Sequence, residues 1–117
     1  MKITWPELLV VMVRNYGVPD PVRELQAIPG RRFRFDLAWP DVMLAVEVQG
    51  GVWTRGRHLR GAGYTADCEK LNLAVIHGWR MLWVTTAQIK SGQAAQWIVR
   101  AGWPHLKAPR RPRSGAR

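Results

Sequence analysis

The stretch "FDLAWPDVMLAVEVQGG", Phe35 to Gly51, decides how the rest of the chain is read. Two apolar runs flank Trp39-Pro40-Asp41, which has the composition of a turn, so together they read as an antiparallel hairpin. In the first arm, extended back to "RRFRFDLAW", strand alternation puts Phe33, Phe35 and Leu37 on one face and Arg34, Asp36 and Ala38 on the other. In the second arm, Glu47 and Gln49 share a face inside an otherwise apolar strand. A carboxylate in that setting is costly to desolvate unless something pairs with it.

A turn at Pro40 and Asp41 places Asp36 opposite residue 45 and makes Glu47 its diagonal neighbour, about 7–8 Å away at the backbone. Both carboxylates then point to the same face, where they can converge on one cation. Mg²⁺ takes oxygen ligands and is held by one or two carboxylates together with water and phosphate. The competing reading is a structural ion pair of Asp36 with Arg34 or Arg80. The scarcity of acid favours the metal: the chain has eight carboxylates, and two of them lie in apolar strands.

The 117 residues and a 47% hydrophobic fraction suit one domain, expected over residues 1–104. No apolar run approaches the ~18 residues of a membrane span. The N-terminal apolar segment is short, is interrupted by Glu7 and has no small-residue cleavage site after it, so a cytoplasmic protein with no membrane partner is expected. A single cysteine, Cys68, excludes an internal disulfide and a cysteine-rich zinc site. Eighteen basic residues, fourteen of them Arg, face eight acidic ones and give a formal charge of +10. That balance points to a polyanionic partner, nucleic acid before an anionic membrane, since the guanidinium fork suits phosphate.

Thr4, Pro6 and Glu7 mark a helix start, and that helix runs to about Asn15 with Leu8, Leu9, Met12 and Val13 turned inward. The Pro- and Gly-rich connector that follows has room for one helical turn at Val22–Gln26. After the hairpin comes the basic, glycine-rich "GGVWTRGRHLRGAG", then a helical pattern from Tyr64 to His77 that carries Cys68, Leu71 and Val75 and ends at Gly78. "RMLWVT" reads as a strand, and Thr86 or a neighbour caps a last helix to about Arg100. Residues 105–117 form a basic tail, Pro- and Arg-rich and expected to be disordered.

"FDLAWPDVMLAVEVQGG", then "GRH", then "DCEKLNLAVIHGWRMLWVT" resembles the PD-(D/E)XK nuclease superfamily, in the style of its very-short-patch-repair endonuclease-like branch and small phage proteins. The resemblance covers roughly Phe33 to Thr85. It implies an α/β fold: a restriction-endonuclease-like αβββαβ core with a small mixed sheet of three or four strands flanked by helices. It also implies a Mg²⁺-dependent DNA endonuclease, with Mn²⁺ as a substitute, bacterial or phage-encoded. Branched or nicked DNA in repair or recombination is then the substrate class. Asp36 and Glu47 match the two metal-binding acids, and the backbone carbonyl of Val48 would be a further ligand. Gln49 stands where the motif has its lysine, and Lys70 on the next helix is the candidate to replace it. Asp67 and Glu7 are possible auxiliaries. Symmetric cutting of a junction would need a homodimer.

Arg55, Arg57, His58 and Arg60 follow the second strand directly, where a nucleic-acid backbone should lie, and glycines around them allow close approach to phosphate. Arg110, Arg111 and Arg113 would add nonspecific phosphate contacts. Two other readings stay open. Gln49 in place of lysine fits a catalytically weakened nucleic-acid-binding module, and the charge alone fits a basic scaffold protein.

Overall fold

The computed structural model describes residues 2–50 and 61–106. Helix α1 (Trp5–Arg14) is followed by strands β1 (Val22–Leu25), β2 (Phe35–Trp39) and β3 (Leu44–Gln49), helix α2 (Gly61–Ile76), strand β4 (Arg80–Thr85) and helices α3 (Thr86–Ser91) and α4 (Gln93–Gly102). The four strands form one sheet in the order β1-β2-β3-β4. β1 and β3 lie antiparallel to β2, and β4 lies parallel to β3. The parallel pair is possible because α2 carries the chain back across the sheet. The result is a mixed α/β fold with the expected αβββαβ order, extended by α3 and α4.

The sheet separates two cores. On one face Leu37, Trp39, Leu44, Val46 and Val84 pack against Leu9 and Val13 of α1, Ile89 of α3 and Ile98 of α4. On the other, Ala38 and Ala45 meet Ala74 of α2 with Ile28, Phe35 and Trp79. Small residues there let α2 lie close to the strands.

Local chemistry sets the element boundaries. Thr4 and Glu7 form a capping box that starts α1, with Thr4 N–H donating to the Glu7 carboxylate at 2.9 Å. Thr85, the neighbour of Thr86, caps α3 through an equivalent exchange with Gln88. Gly92, at φ 92°, then divides the anticipated single last helix into α3 and α4, a left-handed conformation that glycine adopts freely.

Three sequence expectations need correction. Val22–Leu25 is a strand rather than a helical turn: it pairs with β2 along the edge of the sheet, with Glu24 at φ 55°. Phe35 and Leu37 do not share a face, because Phe35 packs in the α2-side core, edge-on to Trp79 at 5.3 Å between ring centroids, while Leu37 lies in the other. On α2 the inward residues are Lys70, Leu73 and Ala74; Val75 is exposed and Cys68 only half-buried.

Candidate functional site

β2 and β3 pair at Leu37↔Val46, Ala38↔Ala45 and Trp39↔Leu44, and the same register sets Asp36 directly opposite Glu47. The diagonal arrangement expected from a two-residue turn is therefore off by two residues along β3. Four residues intervene: a 3-10 turn over Pro40–Val42, then Met43 in the left-handed region at φ 51°, its N–H donating to Pro40 O.

At Asp36 and Glu47 side chains take over from backbone as acceptors between the strands. The N–H of Asp36 donates to Glu47 Oε2 at 2.9 Å, and the N–H of Val48 donates to Asp36 Oδ2 at 2.7 Å. Each carboxylate thus caps an amide beside the other, holding the fork where the strands part. Phe35 lies just before this fork, which is why it escapes the alternation that governs Leu37 and Trp39.

Lys70 closes the cluster from α2. Its ammonium donates to Glu47 Oε1 at 2.7 Å and to the carbonyl of Arg34, and it lies 5.8 Å and 5.9 Å from the ring centroids of Phe33 and Phe35. A lysine held this way has a carboxylate, a carbonyl and two aromatic faces around it. Glu47 is 9% exposed, and burial is the main reason its pKa is raised. The hydrogen bond and charge of Lys70 pull it back down, while the charge of Asp36 pushes it further up. The cluster is a compact arrangement of two acids and one base (the base satisfying the more deeply buried acid).

The competing ion pair of Asp36 with Arg34 or Arg80 does not occur among the described residues. Arg80 donates instead to the carbonyls of Ala101 and Val42, and Arg34 contributes its own carbonyl to Lys70. Gln49 ends β3 half-buried, in register with Thr85 of β4. Glu7 is committed to the α1 cap, which lowers its pKa, and α1 covers the opposite face of the sheet. Asp67 is exposed on α2, and no hydrogen bond or salt bridge among the described residues draws it to the cluster. Arg55, Arg57, His58, Arg60, Arg110, Arg111 and Arg113 lie outside the described residues.

Two adjacent carboxylates match the donor number of a sparse Mg²⁺ site. Three of their four oxygens already accept a hydrogen bond, from Lys70 and from the amides of Asp36 and Val48. Lone pairs remain on each oxygen, so the donor set fits a divalent ion in competition with Lys70. Among the described residues no three His, Cys, Asp or Glu side chains gather as a metal site. The partners of Lys70 were missed in sequence, although Phe33 and Phe35, both just before Asp36, are the signal that two rings lie near the acids.

No family model, curated protein or solved structure matches the chain. The architecture defines it as a small α/β domain of nuclease-like topology.

Proposed function

We propose that this domain binds nucleic acid on a nuclease-like scaffold whose acid pair is held in a structural lock. The observation that carries the reading is the internal commitment of the Asp36–Glu47 pair. Its oxygens serve Lys70 and two strand amides, so the carboxylates stabilise the fork and their charge is partly cancelled. Charge placement along the sequence supports it. Residues 51–60 hold Arg55, Arg57 and Arg60, residues 107–117 hold five more basic residues, and neither segment has an acid. The first segment continues directly from β3, two residues beyond Gln49. A basic segment that follows a partly neutralised cluster in the sequence suits a phosphate backbone.

A second reading, metal-dependent hydrolysis of DNA, is favoured by Asp36 and Glu47 facing each other on one rung. In that case Asp36, Glu47 and the carbonyl of Val48 would hold Mg²⁺ or Mn²⁺, which polarises a phosphoryl oxygen and activates water. Lys70 would give up part of its bond to Glu47 and turn its charge towards the phosphate. Gln49 has no charge to offer there.

One experiment separates the two. Labelled single-stranded, duplex, flap and four-way-junction DNAs are incubated with wild type, Asp36→Asn and Glu47→Gln, in Mg²⁺, Mn²⁺ or EDTA, with binding and cutting followed in parallel. The binding reading expects salt-sensitive association, kept or tightened in both variants and independent of metal. Metal-dependent cutting that both variants lose would replace it with the nuclease.

A further inference from the structure

β4 is an edge strand: among the described residues its partner is β3 alone. Register places Trp83 beside Glu47, about 4.8 Å away at the backbone by ordinary strand spacing. Ala45 and Met81, the pair two residues earlier, lie in the α2-side core, so alternation sends Trp83 to the face that carries Glu47 and Lys70. Unlike its buried neighbour Val84, Trp83 is 38% exposed. From it a groove passes over the open edge of β4 to the last turn of α4, lined also by Met81, Leu82, Trp97, Arg100 and Ala101.

The lining contains two indoles, one guanidinium and no acid. Arg100 is exposed and takes part in no salt bridge among the described residues. The guanidinium of nearby Arg80 is held by backbone carbonyls, which leave its charge uncancelled. A second copy of the chain seated on this edge would bring its own arginines against these two, with no carboxylate in the groove to meet them. A polyanion carrying flat rings is the better complement, because aromatic side chains stack on bases while arginine meets phosphate.

We propose that the β4 edge is a track for single-stranded nucleic acid. Trp83 stacks an unpaired base and Arg100 meets the backbone, so the strand crosses the sheet edge next to the Asp36–Glu47 rung. The proposal rests on the nucleic-acid-binding reading above and narrows it to strands with unstacked bases. A regular duplex keeps its bases stacked and offers Trp83 nothing.

The test measures fluorescence anisotropy of three labelled probes: an oligothymidine strand, an abasic strand of equal length and a duplex. Wild type, Trp83→Leu, Trp83→Phe and Arg100→Gln are compared, with circular dichroism melts showing that each variant folds. Trp83→Leu should weaken oligothymidine binding about tenfold and leave the abasic strand unchanged. Trp83→Phe should restore most of the loss, and Arg100→Gln should weaken both strands. Equal affinity for the two strands, or an oligothymidine affinity indifferent to Trp83, overturns the track while salt-sensitive binding keeps the broader reading. Absence of binding to every probe overturns both. Sedimentation that reveals a dimer dissolved by Trp83→Leu assigns the groove to a second copy and overturns the track.

Discussion

Lys70 and Glu47 meet at 2.7 Å with side chains 17% and 12% exposed, the acid on a central strand and the base on the helix that covers it. Their pairing ties α2 to the sheet at the point where β2 and β3 part. A pair this far from water is held mainly by the cost of separating it, since either partner alone would be a buried, uncompensated charge.

Lys70→Met and Glu47→Leu should therefore each lower unfolding free energy by about 3–5 kcal/mol. The double variant, with an apolar pair at the same place, should lie closer to wild type than either single variant. Urea denaturation of all four proteins measures the coupling.

Acidity of the medium should act on the same residue. Burial raises the Glu47 pKa above its ordinary 4.5, so the folded chain holds that proton more tightly than the unfolded one. The contribution of Glu47 to stability is then fully favourable below the unfolded value and is lost as pH rises through the raised, folded one. Relative to Glu47→Gln, which does not titrate, wild type should gain stability as pH is lowered towards 4.5. Paired denaturation series across that range check the sign.

Gly92 gives a prediction of backbone origin. It adopts φ 92° between α3 and α4, and an added Cβ would meet nothing within 4 Å. Gly92→Ala should cost about 1–2 kcal/mol through the left-handed conformation alone, without a steric clash. A thermal melt should show a lower midpoint with the native far-ultraviolet spectrum retained.

Replacing Arg55, Arg57 and Arg60 together by Gln should weaken oligothymidine binding and flatten its salt dependence. Every phosphate of a single strand that the variant no longer neutralises reduces the slope of log K against log salt by about 0.7. Titrations at several salt concentrations read the change directly, and an unaltered slope would place the phosphate-binding residues elsewhere.

Much of the site was legible because its residues break the pattern around them. Asp36 and Glu47 stood out as acids in apolar strands, whereas Lys70 was reached only through the resemblance, as the lysine of the following helix. The register was not legible: Met43 takes a left-handed conformation that its side chain does not advertise, adding two residues to the assumed turn. β1 stayed hidden because its four residues are mostly exposed and follow two prolines, leaving no alternating burial to read. The α2 stripe misled for a different reason. Cys68, Leu71 and Val75 have helical spacing, yet small Ala74 allows the closer approach, and the helix turns Lys70 inward with it.

The parallel pairing of β3 with β4 means that both strands finish at the same rim, with Gln49 beside Thr85. The segment after β3 and the helix after β4 consequently leave from adjacent points, while the cores lie behind them on either side of the sheet. Changes made at that rim lie beyond the paired rungs and both cores, so the scaffold and whatever the rim carries are separable inheritances.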